Sequence, residues 1–292
     1  GFNLHGTTSG RLSSSGKMNM QQIPRDNPIV KGCMRAAKGN KIVAMDLTTA
    51  EVYVAAVLAK DENLMDVFRQ GGNFHSTIAK LVFNLPCEAE DVAEHYSTQR
   101  QAAKAVTFGI MYGAGANKIS QQVTADSGKN FSKGDAQEVI DDYFRQFHKL
   151  KKWIDHSSKY IMDNGFIYSQ YGRKRRLPNV RSDNQGIQSH EVRSGLNFLV
   201  QSVASDINLL GAIDTHNHIK SINKTKEMRI FALVHDSILA EVDEGYVDEY
   251  MEIVQKCIQK DRGIYIPGCP VGCDFDVGDD YSFGKFEKMY DI

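Results

Sequence analysis

Residues 229–242 read RIFALVHDSILAEV, two apolar runs joined at His235-Asp236. Runs of this length broken by one polar pair predict two strands in a tight hairpin. A second short apolar run, KIVAMDL at 41–47, also ends in a carboxylate and reads as a buried strand. The two strand-associated acids, Asp46 and Asp236, are therefore far apart in the chain, and the stretch between them is rich in helical patterns. The pattern turns helical from Thr49 to Leu58, and residues 97–112 suit another helix. Val139, Tyr143, Phe147, Leu150 and Ile154 at helical spacing predict one longer helix across 134–163, stopped at Asn164-Gly165. Val192, Leu196, Leu199, Val203, Ile207 and Leu210 predict another over roughly 187–218. FIYSQYGRKRRLP, at 166–178, looks like a short hairpin, and residues 1–40 are loop-rich. There is no internal repeat. The fold class expected is α/β in the mixed (α+β) sense.

Bulk properties narrow the function classes. With 292 residues the chain is long enough for one large or two modest folded units. Hydrophobic residues at 41% and charged residues at 24% are ordinary for a soluble globular protein. The formal net charge of -1 gives no global basic field, so a polyanion site must come from local clustering. Such clusters exist at GRKRR (172–176), HKLKK (148–152) and KSINKTKEMR (220–229). Five scattered cysteines fit free thiols in a reducing compartment. Cys269 and Cys273 are spaced C-x3-C, but no second ligand pair follows, which argues against zinc. No apolar run approaches the ~20 residues needed to cross a bilayer, and no signal-peptide pattern opens the chain. A cytoplasmic location, in a nucleoid or an infected host, is expected, with no membrane partner. The chain opens on Gly1 without an initiator methionine, which predicts a start upstream or processing.

RQAAKAVTFGIMYG, at 100–113, places Arg100, Lys104, Phe108 and Tyr112 at intervals of four. Four residues advance a helix by about 400°, so each step drifts only about 40° around the axis and rises about 6 Å. The four side chains thus share one face. Two cations one turn apart suit a chain of phosphates, and a ring one turn further could stack on a sugar or base. Like charges at i, i+4 slightly destabilise a helix, so helix stability does not explain them. An amphipathic helix with two solvated bases and two core aromatics is the plain alternative.

A triphosphate site that does chemistry needs a divalent metal. Mg²⁺ takes one or two carboxylates plus phosphate oxygens, and two such ions about 4 Å apart can activate an attacking hydroxyl and stabilise a leaving oxygen. Asp46 and Asp236 supply the required residue type, although either alone could be a cap or turn acid.

Taken together, these patterns resemble the family A DNA polymerases. TSGRLSSSGKMNMQQIPR (8–25) is similar to that family's segment leading into the palm, and DLTTAEVY (46–53) to its first carboxylate motif. R-x3-K-x3-F-x3-YG (100–113) resembles its fingers helix, and LVHDS (233–237) its second carboxylate motif. YGRKRRLPN (171–179) and R-x3-N-x3-Q (193–201) fall between them in the family's order. DVGDDYSFGKFEK (276–288) resembles its closing segment. Several motifs in order are a stronger signal than any one of them.

The resemblance implies roles residue by residue. Asp46 and Asp236 would hold two Mg²⁺ ions, which Mn²⁺ could replace. Arg100 and Lys104 would bind the triphosphate, with Lys104 protonating the departing pyrophosphate. Phe108 would pack on the nucleotide, and Tyr112 would stack near the templating position. Glu51 would crowd the place of a ribose 2′-hydroxyl, and His75 would reach the triphosphate. His235 would help to place the primer end. Arg11, Arg193, Asn197 and Gln201 would touch the duplex. The last three share a helical face and carry donors suited to minor-groove acceptors, which every base pair presents in either orientation.

The sequence also departs from the family. Ser237 stands where cellular members usually have a glutamate. After Asp46, LTTAEVY replaces the family's usual tyrosine-serine-glutamine run and puts Tyr53 where an arginine is usual, which suggests a divergent, viral branch. The expected organisation is palm at 1–57 and 186–292 with fingers at 58–185, acting on primer-template DNA and dNTPs. A thumb and any 3′-5′ exonuclease are expected to precede residue 1 or to reside on another polypeptide. Two rival functions remain open: a single-subunit RNA polymerase-like enzyme, which His-Asp-Ser at 235–237 resembles, and a DNA-binding subunit that has lost catalysis.

Overall fold

The computed structural model describes residues 1–16, 19–24 and 27–285. Lys17, Met18 and Arg25 of the 8–25 segment, and residues 286–288 of the closing segment, lie outside the described residues. The chain forms two compact units. One comprises Gly1–Ala50, Ser202–Gly263 and Pro270–Ile292; the other comprises Glu51–Gln201 and Ile264–Cys269.

The first unit opens with β1 (Phe2–Asn3) and β2 (Ser13–Ser14), paired antiparallel, followed by α1 (Pro28–Gly32). The expected strand follows as β3 (Asn40–Thr48), in which Ile42, Val43, Ala44 and Met45 are all buried. Burial on both faces explains why the run is continuous rather than alternating. Thr49 takes a left-handed turn, φ 48°, into α2 (Ala50–Ala59), and the chain passes into the second unit.

That unit is mostly helical: α3 (Glu62–Gln70), α4 (Phe74–Phe83), α5 (Val92–His95), α6 (Ser97–Met111), α7 (Ala116–Ser127), α8 (Lys133–Gln146) and α9 (His148–Asn164). The single helix expected across 134–163 is in fact two. Phe147, with φ -113° and ψ 59°, breaks it and is fully buried. The new helix start is capped from a distance. Asp61 accepts from Leu64 N at 3.3 Å, capping α3, and from Leu150 N at 2.8 Å in α9. Gly165 ends α9 in the left-handed conformation, φ 72°, as the Asn-Gly stop predicts. The short hairpin follows as β4 (Phe166–Tyr168) and β5 (Lys174–Arg176). Ile161, Ile167, Leu177, Val180, Phe198 and Leu199 form a core here, and burying one such side chain contributes about 1.5–3 kcal/mol.

The long helix α10 (Gln185–Ser221) carries the chain back to the first unit. Contrary to the hydropathy reading, this helix has an 18-residue window apolar enough to cross a membrane, but 67% of that window is buried within the fold. It is apolar as a core helix is. The expected hairpin follows as β6 (Met228–Val234) and β7 (Ser237–Asp243), then α11 (Val247–Ile258) and β8 (Gly272–Gly278). The four strands form one antiparallel sheet in the order β6-β7-β3-β8. Nothing in the sequence reading marks β8 as a strand. Its acids Asp274 and Asp276 are exposed, as an edge strand permits. Ile42, Ala44, Ala232, Val234, Leu239 and Tyr281 pack as a core in this unit. Contact boundaries fall at 50/51 and 201/202, whereas the sequence expectation puts them at 57/58 and 185/186. Both contact boundaries lie within or at the start of continuous helices, where no loop or composition change marks them.

Candidate active site

In the first unit the two acids meet at one end of the sheet. The register pairs Asp46 of β3 with Ser237 of β7. Val234 pairs with Ser237, so His235 and Asp236 are the two loop residues of the β6–β7 hairpin. His235 is exposed and adopts φ 55°, a conformation in which His is enriched among non-glycine residues. Leu47 N donates to the Asp236 carbonyl at 3.3 Å, tying the hairpin tip to the residue after Asp46. Arg11 Nη2 donates to Asp236 Oδ1 at 2.7 Å, and Ser237 Oγ donates to Asp46 Oδ1. Asp46 is exposed and Asp236 half-buried. On the other flank of β3, Asp274 lies opposite Asp46. Burial, helped by the Asp46 charge, raises the Tyr281 phenol above its usual range.

Among the described residues, no cluster of three or more His, Cys, Asp or Glu side chains suits a metal ion. Two hard carboxylates on adjacent backbone segments do fit a Mg²⁺ site whose remaining ligands are phosphate oxygens and water. The C-x3-C pair offers no such chemistry. All five cysteines are free, and burial raises the thiol of Cys269 and pushes that of Cys273 up to about 12.

In the second unit the α6 face forms as the spacing predicts. Ala102, Ala103, Val106, Thr107, Ile110 and Met111 are buried, which leaves Arg100 and Phe108 half-buried and Lys104 and Tyr112 exposed. Arg100 is held by α4: Nε donates to Ser76 Oγ at 3.2 Å and Nη2 to Asn73 Oδ1 at 3.4 Å. Sequence reasoning misses both partners, although Asn73 before FHS is a legible N-cap and does cap α4. The His75 ring lies 5.3 Å from Phe108, and its Nδ1 is buried without a partner among the described residues. Burial, then the charges of Lys104 and Arg100, lower its pKa to about 4, so the ring is neutral at pH 7.

That shift has a sign. Between about pH 6.5 and 4 the unfolded chain takes up a proton that folded His75 refuses, so stability falls as pH drops through this window. The slope is at most about 1.4 kcal/mol per pH unit. His75→Gln is expected to remove it. Urea midpoints for both proteins from pH 4.5 to 7 check this, and parallel curves would refute it.

Tyr112 donates its hydroxyl to Glu51 Oε2 at 2.6 Å, linking the end of α6 to the start of α2. Gly113 follows with φ 64°, and a Cβ there would lie 2.3 Å from Arg193 Cγ and Cδ. Only glycine lets the α10 arginine lie against the end of α6. Asn197 and Gln201 follow along α10, both half-buried, and Asn197 Oδ1 is buried without a partner among the described residues. Lys104, Phe108 and Tyr112 also line a cavity of about 280 Å³ with Lys118 and Gln122 of α7. Part of the GRKRR cluster serves packing. Arg175 Nη2 donates to Ser194 Oγ at 2.5 Å, and Lys174 Nζ sits 3.8 Å from the Phe166 ring centroid. Tyr53 is a core residue, its hydroxyl donating to Cys269 O and accepting from Ile266 N, both at 2.8 Å.

Comparisons with known proteins agree with this arrangement of motifs. The profile of "DNA polymerase family A" matches residues 1–282. The DNA polymerase of Escherichia phage T5 is 50% identical over 311 aligned positions, which cover 99% of this chain and 36% of that one. The thermostable DNA polymerase I of Thermus aquaticus is 28% identical over 97% of this chain and 32% of its own length. The chain thus spans about a third of the length of these curated relatives. Among solved structures, the POL domain of Pol1 from M. smegmatis, in complex with DNA primer-template and dNTP, superposes with a TM-score of 0.83. Its sequence identity is 26%, covering 97% of this chain and 47% of that one. With a family match over nearly its whole length and the motifs in order, the chain belongs to DNA polymerase family A.

Proposed function

We propose that this chain carries the centre of a template-directed DNA polymerase, which adds dNTPs to a primer 3′-hydroxyl and releases pyrophosphate. The observation that carries this reading is the β3–β7 register, which sets Asp46 beside the hairpin tip bearing Asp236. These two carboxylates would hold the divalent ions that family A polymerases generally use. When bound, such ions lower the pKa of the attacking hydroxyl and neutralise charge on the leaving oxygen. Arg100, fixed by Asn73 and Ser76, and Lys104 grip the triphosphate; Lys104 gives a proton to the departing pyrophosphate. Neutral His75 presents a ring to the same phosphates beside Phe108. Tyr112 holds Glu51 in place, and Glu51 blocks a 2′-hydroxyl. This favours dNTP over rNTP and speaks against an RNA polymerase-like enzyme despite His-Asp-Ser at 235–237. Arg193, Asn197 and Gln201 feel the minor groove, and His235 places the primer end. Arg11, assigned to the duplex by resemblance, is paired with Asp236 here and would exchange that partner for DNA. The working compartment proposed is the nucleoid or host cytoplasm.

Primer extension by natively purified chain tests the reading. Incorporation of dNTPs that EDTA abolishes, with rNTPs used far less, is expected. Equal use of dNTPs and rNTPs would favour the RNA polymerase-like alternative. Binding of primed DNA without any Mg²⁺-dependent extension would favour the non-catalytic one.

A further inference from the structure

Ser237 is the residue at which this chain departs from the usual glutamate, and the sheet register gives the departure a physical meaning. Ser237 of β7, Asp46 of β3 and Asp274 of β8 lie directly across from one another on neighbouring strands. Residues paired in this way project from the same face, with Cβ atoms about 4.5–5.5 Å apart. Asp46 therefore has a neutral hydroxyl on one flank and an exposed carboxylate on the other. Like charges directly opposite each other repel, so Asp274 disfavours any Asp46 rotamer turned toward β8. Ser237 Oγ donates to Asp46 Oδ1 from the opposite side, on the strand that begins at the hairpin tip carrying Asp236. Among the described residues no other protein donor reaches the Asp46 carboxylate. An ionised glutamate at 237 could only accept hydrogen bonds, so this tether depends on the serine.

We propose that Ser237 is a positioning residue, whose hydroxyl holds the Asp46 carboxylate toward the Asp236 side of the sheet and so sets the divalent-cation site before the cation arrives. The inference rests on the two-carboxylate reading above. A hydrogen bond to a charged group is roughly twice as strong as one between neutral groups, and the exposure of Asp46 weakens that advantage. Without the tether, Asp46 samples orientations in which it no longer shares a ligand with Asp236. The bound ion must then order it, and affinity for the ion drops. Positively charged Arg11 holds the other acid, Asp236.

The test is Mn²⁺ binding to the purified chain, read from the loss of the free-ion EPR signal, alone and with primer-template added. Ser237→Ala is expected to weaken binding roughly 3–10-fold. Ser237→Thr, which keeps the hydroxyl, is expected to stay within about twofold of the original protein. Half-maximal Mg²⁺ concentration for extension should rise in Ser237→Ala in step with Mn²⁺ affinity, while the rate at saturating Mg²⁺ and the affinity for duplex hold. Unchanged Mn²⁺ binding in Ser237→Ala would overturn the proposal, as would Ser237→Thr binding as weakly as Ser237→Ala. Asp46→Ala separates the two levels. If it abolishes Mn²⁺ binding while Ser237→Ala has no effect, only the positioning role fails. If it leaves binding intact, the carboxylate reading fails and the positioning role with it.

Discussion

Asp236→Asn is expected to stop primer extension while leaving duplex binding nearly intact. The substitution keeps the shape of the side chain and an acceptor for Arg11 Nη2, so the hairpin tip and its 2.7 Å contact survive. What disappears is one of the two negative charges facing the proposed metal site. Charge stabilisation by a bound metal is worth several kcal/mol, and each 1.36 kcal/mol is tenfold in rate, so single-turnover incorporation should fall roughly 10³-fold or more. Duplex affinity should change by no more than about threefold, since removing an acid slightly favours a polyanion. Rapid-quench extension and a DNA-binding titration on the same preparation measure both. A rate within tenfold of the original, or a parallel collapse of DNA binding, would defeat the role assigned to Asp236.

The second large effect belongs to Lys104, which is exposed on α6 one turn from Arg100 and one turn from Phe108. Lys104→Ala is expected to slow single-turnover incorporation about 10²–10⁴-fold, the usual contribution of a positioned general acid. It should also raise the dNTP concentration needed for half-maximal rate. Lys104→Arg separates the two losses. A guanidinium keeps the charge but does not give up a proton in proteins, so nucleotide affinity should return while the rate stays low. A full recovery of rate in Lys104→Arg would leave Lys104 with an electrostatic role alone.

Much of the fold is legible in the sequence because it is written in local periodicity. KIVAMDL, the two runs flanking His235-Asp236, the α6 face and the Val192-to-Leu210 stripe each name their element within a few residues of its bounds. Where the legible signal fails, a distant group makes the decision. The apolar spacing from Val139 to Ile154 runs straight through Phe147, and a cap supplied by Asp61 from α3 divides it into two helices. β8 escapes notice because its exposed acids resemble a loop and only pairing with β3 makes it a strand.

The same division runs through the site. Composition and spacing put Arg100, Lys104, Phe108 and Tyr112 on one helical face, and the order of motifs pointed to the family. Sequence alone determined which residue types stand at which spacing and which elements bear them, and so which residues are proposed to carry the chemistry. Tertiary structure alone decided who their neighbours are: Arg11 on Asp236, Ser237 on Asp46, Asn73 and Ser76 on Arg100, Glu51 under Tyr112 and Arg193 against Gly113. The physical reason is range. A helical face follows from a 3.6-residue repeat within one segment. The register of strands about 190 residues apart follows only from burying the right faces and pairing every backbone group along the sheet.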